Sequence, residues 1–396
     1  MRGKTSAVQN AKQKAKTTKP RRKEELIHMK FTVEKRLLNE AVTNLQRAVS
    51  SKTSIPALEG ILIRSEENRL ILTAYDLEIG MQTELPAIIS APGAIILTAK
   101  LFAEIVRRSP DEDITIDVDD RNTATITSGV SCFTIIGMDS AEFPELPKIT
   151  DADTIKMPQE LLKSMIRQTL FAVADSTAKP IHQGSLFKIE NGNLDVLSVD
   201  GYRLALRREA INYANNTEFV VPGKTLIEIS KILSGETEDE VSIFFTKNHI
   251  VFEFDRTLVV SRLIEGEYFR IDQMLSSDYE TRVHVNKKEL LDCIDRATLL
   301  IKEGDKKPII IDIKNESMEL KIKSQIGSMD ELIFCTKDGK DLMIGFNPKF
   351  LIDALRVIED EEVDLYFMNA KAPCFIKDEN QSYIYLILPV NFNAAV

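Results

Sequence analysis

The chain has 396 residues, of which 43% are hydrophobic and 28% charged, and its net charge is −10 at pH 7. These values are typical of a folded protein of several domains, and no apolar run approaches the roughly 20 residues that cross a membrane. The four cysteines stand far apart in the sequence. Because structural zinc favours closely paired ligands, the sequence predicts no zinc site, and reduced cysteines favour a cytoplasmic location.

The first 28 residues form a polar segment that is rich in lysine and arginine. Such a segment buries too little apolar surface to fold alone, so residues 1–28 are predicted to be a disordered basic extension. The folded part is predicted to begin at Met29, in "MKFTVEKRLL".

Several passages recur along the chain at a nearly constant interval. "TSIPALEG" at 53–60 returns as "TAKPIHQG" at 177–184, and "LTAYDLEIG" at 72–80 returns as "LSVDGYRLAL" at 197–206. Internal repetition of this kind indicates repeated structural units. Three domains are therefore predicted, at residues 29–150, 151–281 and 282–396.

Each domain contains a smaller pattern twice. A short strand leads into an amphipathic helix in "MKFTVEKRLLNEAVTNL" and again in "GAIILTAKLFAEIVRR", and the later domains repeat this. The alternating runs between the helices, such as "EVSIFFTKNHIVFEFD", predict antiparallel strands. The sequence therefore predicts an α+β fold of three domains, each built from two β-α-β-β-β units.

The stretch "LSVDGYRLAL" predicts a tight hairpin turn at Asp200-Gly201, because glycine tolerates the positive φ that such a turn needs. The turn alone does not explain why Tyr202 and Arg203 follow it.

Basic residues outnumber acidic ones on the six predicted helices, although the folded part is acidic. Lys35, Lys100, Lys224, Lys287 and Lys349 fall in the first turn of five of them, where a cation opposes the helix dipole. A lysine recurs at this unfavourable position in five helices, which favours a functional role over chance. We predict that the helix faces form a basic surface that neutralises DNA phosphates without reading the base sequence.

The sequence contains no phosphate-binding loop of the GxxxxGK[ST] type and no HExxH motif. The acidic run "DEDITIDVDDRN" at 111–122 lacks the calcium-loop spacing. We therefore predict a non-enzymatic protein with no metal and no cofactor. Two alternatives stay open: a nucleic-acid enzyme that uses Asp111 and Asp113, and a peptide-binding scaffold that does not encircle DNA.

Taken together, "TSIPALEGILI", "YDLEIG", "AEFPELP", "DGYRLAL", "LIEGEY" and "ILPV" occur in an order that resembles the bacterial sliding clamp family, the beta subunit of DNA polymerase III. The resemblance extends from Met29 to about Val390. It implies a DNA-clamp fold and a head-to-tail dimer that closes into a ring, with helices around duplex DNA and sheets outside. The resemblance therefore also implies a cytoplasmic processivity factor of DNA replication.

The resemblance also implies three sets of site residues. A pocket for short motifs of the replicative polymerase, the clamp loader, other polymerases and mismatch-repair proteins is expected at His182, Val199, Gly201, Tyr202, Arg203, Leu204, Phe269, Gln273, Met274, Asn347, Phe350, Pro373, Leu386, Leu388, Pro389 and Val390. DNA contacts are expected at Lys52, Lys100, Lys179, Pro180, Ile181, Lys224 and Lys349. Ring closure is expected where Phe133 and Ile135 of one subunit meet Leu299 and Leu300 of the other.

The pocket prediction carries two further expectations. The turn after Asp200 is expected to present Tyr202, Arg203 and Leu204 outward to a partner. Phe269, Gln273 and Asn391 stand where the family commonly has proline, arginine and arginine, so we expect an altered pocket rim.

Overall fold

The structure is a computed structural model. It describes residues 29–50, 52–175, 179–271, 278–302 and 307–392. The predicted basic extension and the predicted pocket residues Gln273 and Met274 lie outside these residues. None of the helices within the described ranges is long and apolar enough to cross a membrane.

The elements follow one another in the order that the sequence predicts. The first domain contains β1 (Met29–Glu34), α1 (Lys35–Leu45), β2 (Gly60–Glu66), β3 (Arg69–Tyr75), β4 (Ile79–Pro86), β5 (Ile88–Ala91), β6 (Gly93–Thr98), α2 (Ala99–Arg108), β7 (Asp113–Val118), β8 (Thr123–Ser128) and β9 (Ser131–Ile136). The second contains β10 (Asp153–Pro158), α3 (Gln159–Thr169), β11 (Gly184–Glu190), β12 (Asn193–Val199), β13 (Arg203–Ala210), β14 (Thr217–Pro222), α4 (Gly223–Ile232), β15 (Glu240–Phe245), β16 (His249–Phe254) and β17 (Thr257–Arg262).

The third domain repeats this order. It contains β18 (Thr281–Asn286), α5 (Lys287–Thr298), β19 (Ile309–Lys314), β20 (Ser317–Lys323), β21 (Ser328–Phe334), β22 (Thr336–Gly339), β23 (Leu342–Phe346), α6 (Pro348–Val357), β24 (Glu362–Phe367), β25 (Cys374–Lys377) and β26 (Tyr383–Ile387). Apart from the short strands β5 and β22, each domain has the β-α-β-β-β unit twice, which confirms the predicted α+β repeat. Strand β18 begins at Thr281, the residue that was expected to end the second domain.

The strands of the described residues form four antiparallel sheets, two of which join neighbouring domains. Among the described residues the sheet orders are β5-β1-β7-β8-β9, β10-β15-β16-β17-β4-β3-β2-β6, β14-β11-β12-β13-β26-β25-β24-β18-β22 and β21-β20-β19-β23. The first domain is joined to the second by β4 and β17, and the second to the third by β13 and β26. Within the described part of the chain, β9 and β21 each end a sheet with one edge unpaired.

The helices cover one face of the sheets with their apolar sides. In α2, for example, Phe102, Ile105 and Val106 are buried while Leu101 is exposed. Burying a large apolar side chain contributes roughly 1.5–3 kcal/mol, so this face fixes each helix on its sheet. The polar sides of the helices therefore form one surface of the protein, and the outer faces of the sheets form the opposite surface.

Candidate functional site

The turn at residues 200–203 is held by the side chain of its first residue. Asp200 Oδ1 accepts hydrogen bonds from the backbone N–H groups of Tyr202 at 2.9 Å and Arg203 at 3.1 Å. Gly201 has φ of +91°, which confirms the tight turn predicted from the Asp-Gly pair.

The Arg203 side chain points into the protein, so the expectation that it faces outward was wrong. Only 7% of Arg203 is exposed. Its guanidinium donates to the Asp200 carboxylate at 2.9 Å, to the Asp353 carboxylate at 2.6 Å and to the Phe171 carbonyl at 2.6 Å. The group also lies 4.5 Å from the centre of the Phe350 ring. These partners neutralise and cover the charge, which explains how an arginine can be buried here.

Tyr202 is the side chain of this turn that faces solvent. It is 63% exposed, and its ring stacks on Phe350 with the ring centres 6.2 Å apart. Leu204 is buried beside it and is paired in register with Leu386 of β26. The outward expectation is therefore wrong for Leu204 as well, since its side chain helps to form an apolar floor. The buried members of this floor are Ile181, Leu186, Leu197, Val199, Leu204, Leu206, Val220, Tyr268, Ile271, Ile384 and Leu386.

His182 lies at the second-domain end of this floor. Its ring centre is 5.6 Å from that of Tyr268, whose hydroxyl donates to the carbonyl of Gly184 at 3.0 Å. Burial, with a smaller contribution from Lys179, lowers the pKa of His182 below its ordinary value. Neutral imidazole is therefore the favoured form at this position.

The third domain supplies the other side of the cleft. The backbone N–H of Leu388 donates to the Tyr202 carbonyl at 2.9 Å, and that of Val390 donates to Gly345 at 2.9 Å. The Asn347 side chain accepts the N–H of Lys349 at the start of α6. Of the remaining predicted pocket residues, Pro373 and Pro389 are half-buried, and Phe269 is exposed beside Tyr268. The structure thus brings together, at the junction of the second and third domains, Tyr202, Arg203, Leu204, Phe350, Leu386 and Leu388. Phe269 instead lies near second-domain residues such as Leu186 and Leu206.

The equivalent turn at the first junction has a different chemistry. Asp76 Oδ1 accepts the N–H groups of Glu78 and Ile79, as Asp200 does in the second turn. Here, however, Lys224 forms ion pairs with Asp76 at 2.5 Å and Glu78 at 3.2 Å. Glu78 therefore occupies the place of Tyr202, and an ion pair replaces the aromatic stack.

Two of the five helix-start lysines have a structural role that the sequence did not indicate. Lys35 Nζ donates to the carbonyl of Ser109, just after α2, at 2.5 Å, and Lys287 Nζ donates to that of Ile358, just after α6, at 2.7 Å. Lys163 makes the same contact to the end of α4. A cation at a helix C-terminus is favourable, so these lysines stabilise the neighbouring helix of their own domain. Lys35 and Lys287 therefore have a structural reason to stand at helix starts, and the DNA surface proposed below does not include them.

The other predicted DNA contacts differ in accessibility. Ile181 is buried in the pocket floor, so its side chain cannot offer a surface to DNA. Lys224 is exposed but paired with Asp76 and Glu78, and it lines a cavity of about 740 Å³ beside the start of α4. The remaining predicted residues are exposed, namely Lys52, Lys100, Lys179, Pro180 and Lys349.

The acidic run at 111–122 forms strand β7 and its turns. The Asp119 carboxylate accepts backbone N–H groups of Arg121 and Thr123, and mainly the Thr123 bond lowers the pKa of Asp119. No group of three or more His, Cys, Asp or Glu side chains suited to a metal ion occurs among the described residues. The Asp119 carboxylate therefore stabilises the turn between β7 and β8.

Apolar side chains are exposed at the two unpaired sheet edges. On β9, Phe133 is 39% exposed, and Ile135 is half-buried. On β21, Leu332 and Phe334 are exposed, and Leu299, just after α5, is 77% exposed. Leu300 lies beside β21, with its Cδ2 atom 3.5 Å from where a Cβ on Gly327 would stand.

Comparison with known proteins covers nearly the whole chain. Three models of the DNA polymerase III beta subunit match it: the N-terminal domain at 29–147, the central domain at 156–269 and the C-terminal domain at 272–391. The beta sliding clamp of Bacillus subtilis is 37% identical over 376 residues, which cover 91% of this chain and 99% of that protein.

Solved structures show the same similarity in three dimensions. A putative DNA polymerase III beta subunit from Eubacterium rectale is 52% identical, with a TM-score of 0.89 over 92% of this chain and all of that one. The sliding clamp structure from Bacillus subtilis also has a TM-score of 0.89, at 37% identity and the same coverage. These matches confirm the clamp fold. The chain therefore belongs to the DNA polymerase III beta subunit family, the sliding clamps, which are non-catalytic factors of bacterial DNA replication.

Proposed function

We propose that two copies of this chain close head to tail into a ring around duplex DNA, and that the pocket between the second and third domains tethers replication and repair proteins to it. The observation that carries the ring is the repeated pairing of sheet edges. Two junctions between domains are already closed within the chain by β4 with β17 and by β13 with β26. The third pair of equivalent strands, β9 and β21, is left open.

The two closed junctions have the same register. At the first, Met81 lies opposite Val259, and at the second, Ala205 lies opposite Tyr385. Met81 and Ala205 each come one residue after the pair that ends the preceding hairpin. Val259 and Tyr385 are equivalent through the sheet ladder, which leads from Val259 to Ile155 and from Tyr385 to Val283, each four residues before the first residue of α3 or α5. Both pairs are buried. One docking geometry is therefore used twice, and a third use would close a ring of six domains.

Carrying this register to the open edges pairs Phe133 with Met329 and Ile135 with Gly327. Phe133 would then lose its exposed surface, as the residues at the closed junctions do. Leu300, which lies beside Gly327, would contact Ile135. This arrangement agrees with the ring contacts expected from the sequence.

The turns at the junctions support the same closure. Ser324 holds its turn as Asp200 does, because its hydroxyl accepts the N–H of Ile326. Ile326 therefore corresponds to Tyr202, and exposed Leu101 of α2 corresponds to Phe350 of α6. Both aliphatic side chains are about half exposed in the single chain, and ring closure would pack them together as Tyr202 packs on Phe350.

DNA would pass along the polar helix faces. Lys100 and Lys349 lie in the first turns of α2 and α6 and are exposed. Lys52 and Lys179 are also exposed, and each comes shortly before the proline of a repeated passage, Pro56 or Pro180. Contacts from lysine to phosphate are independent of base sequence, which suits a protein that slides. A sliding ring of this kind would act in the cytoplasm.

The pocket would receive short peptide motifs. Its apolar floor and its exposed Tyr202–Phe350 stack suit leucine and phenylalanine anchors. The partners we propose are the replicative polymerase, the clamp loader, other polymerases and mismatch-repair proteins. At the first junction, Lys224 pairs with Asp76 and Glu78, and this polar surface does not suit apolar anchors. We therefore propose one such pocket for each chain.

Retention on DNA tests the ring directly. The protein is loaded onto nicked circular DNA by the clamp loader, and the bound fraction is measured before and after the circle is cut once. We expect retention on circles and release from linear ends. Equal retention on both forms would instead favour a peptide-binding scaffold that does not encircle DNA.

A further inference from the structure

A row of side chains crosses the outer face of the sheet that joins the second and third domains. In register, Leu204 lies opposite Leu386, Leu386 opposite Phe375, Phe375 opposite Tyr366, and Tyr366 opposite Arg282. Residues directly opposite one another in a sheet point to the same face. At about 4.8 Å per strand, the row is roughly 19 Å long. The pocket floor therefore continues as a strip toward the far side of the third domain.

The chemistry of this row changes along its length. Leu204 and Leu386 are buried in the pocket floor, and Phe375 packs against that floor. Beyond Phe375 the row becomes aromatic and cationic, and Tyr366 is only half-buried. Its ring centre is 5.1 Å from that of the exposed Tyr279.

Two cations lie over the Tyr366 ring, and they differ in how they are paired. Arg282 is 5.7 Å from the ring centre, and it donates two hydrogen bonds to Asp364, at 2.9 Å each. Lys377 Nζ is 5.0 Å from the same ring centre, and it forms no ion pair with the described residues. The aromatic face holds the Lys377 ammonium while leaving its charge available.

We propose that Phe375, Tyr366, Tyr279 and Lys377, here called the outer strip, extend the pocket and receive an acidic side chain of the bound peptide. This inference rests on the peptide pocket proposed above. Tyr366 is two strands from Leu386, which is about 10 Å, and an extended chain rises about 3.3 Å per residue. The acidic residue is therefore expected about three residues from the apolar anchor that covers Leu386.

The favoured occupant is an acidic peptide segment because of the charges on this surface. Of the two cations over the Tyr366 ring, Arg282 is paired with Asp364, whereas the Lys377 ammonium has no counter-ion among the described residues. A carboxylate next to it gains a partner, whereas a basic segment would meet Lys377 and Arg282. The strip adds to affinity without forming a separate site, since its apolar end is part of the pocket floor.

The test compares peptides by fluorescence polarisation on the full chain. The probes are the motif peptide QLDLF, its acidic extensions EEGQLDLF and QLDLFGEE, and the matched basic extensions KKGQLDLF and QLDLFGKK. One acidic peptide is expected to bind about two- to fivefold more tightly than QLDLF, the range typical of an exposed ion pair. The basic peptides are expected to bind no better than QLDLF.

Lys377→Ala should remove the gain of the acidic peptide and leave QLDLF binding unchanged. Lys156→Ala, which removes an equal charge from exposed β10 of another sheet, should keep the gain. If the gain in affinity survives Lys377→Ala, or if neither acidic peptide binds more tightly than QLDLF, the proposed outer strip is wrong, while the proposed pocket is unaffected. If QLDLF itself does not bind the wild-type chain, the pocket and the strip both fail.

Discussion

The Arg203 guanidinium and the Asp353 carboxylate lie 2.6 Å apart and join the second domain to the third beneath the pocket. Their side chains are 8% and 21% exposed, so the pair is shielded from water. At the first junction, Arg47 and Glu228 form a cross-domain pair at 3.1 Å. Each of these two junctions thus has an ion pair between a helix and the neighbouring domain. At the second junction, the pair lies beneath an apolar cleft.

Arg203→Ala is expected to destabilise the protein. The substitution leaves Asp353 and the Phe171 carbonyl without their donor in a poorly solvated place, which costs about 2–4 kcal/mol. Urea unfolding followed by circular dichroism measures this. Leu204 is buried as well, so Arg203→Ala with Leu204→Ala should lower the melting temperature further.

Tyr202→Ala is the matched change in the same turn. Its exposed ring contributes to the surface of the cleft, so the free energy of unfolding should change by less than about 0.5 kcal/mol. Binding of QLDLF should weaken by about three- to tenfold, because one wall of the cleft is lost. If peptide affinity is unchanged in folded Tyr202→Ala, the ring does not contact the peptide.

Lys35→Ala is expected to affect stability, and Lys100→Ala is expected to affect DNA binding. Loss of the Lys35 bond to the end of α2 should cost about 1 kcal/mol of stability and leave DNA binding unchanged. Lys100→Ala should leave stability unchanged and reduce the salt dependence of duplex DNA binding. Thermal melting and DNA anisotropy across a salt series measure the two quantities. If both variants lose stability, Lys100 has a structural role and is not part of the proposed DNA surface.

These lysines show what the sequence could and could not predict. The strand and helix order, the repeats and the Asp200-Gly201 turn depend on local patterns, and each was predicted. Lys35 and Lys100 both begin helices in the sequence, but only folding brings the end of α2 next to Lys35. Similarly, Asp353 is 150 residues from Arg203, so no local pattern indicated that the arginine would be buried.

Acidification is expected to destabilise the junction through His182. Its pKa in the folded protein lies below the ordinary 6.5, mainly because of burial, so the unfolded chain takes up the proton first. The contribution of neutral His182 is complete above pH 6.5 and is lost as the pH falls through the folded pKa. Urea midpoints at pH 7.5 and 5.5 should therefore fall more for the wild type than for His182→Gln. An equal fall would show that other groups dominate.

Cys132 is expected to report ring closure. It is exposed on β9, whereas burial raises the pKa of Cys335 and, with Glu331, raises that of Cys293 to about 12. A raised pKa lowers the thiolate fraction, so Cys132 should be labelled first at pH 8. Its labelling should slow as protein concentration rises and rings form.

Two variants control the labelling experiment. Cys132→Ser gives the background from the other thiols, and Leu300→Ala, which weakens the proposed contact, should restore fast labelling at high concentration. A Cys132 rate that is independent of concentration in a protein that sediments as a dimer would place the dimer contact elsewhere.

The repeated register predicts which residues a disulfide can join across the ring. If β9 pairs with β21 as β17 pairs with β4, Phe133 and Met329 lie directly opposite, with Cα atoms about 4.5–5.5 Å apart. That separation lies in the range that disulfides require. In a Cys132→Ser background, Phe133→Cys with Met329→Cys should therefore give a covalent dimer on mild oxidation.

A pair displaced along the strand provides the control. Phe133→Cys with Glu331→Cys shifts one partner by two residues, which separates the Cα atoms by roughly 8 Å, too far for a disulfide without backbone movement. Denaturing gels without reductant compare the two proteins, with the Cys132→Ser chain as background for Cys335. Efficient cross-linking of the displaced pair alone would mean that the open edges meet in another register. Cross-linking of neither pair, in a chain that still binds its copy, would mean that ring closure does not repeat the geometry of the two closed junctions.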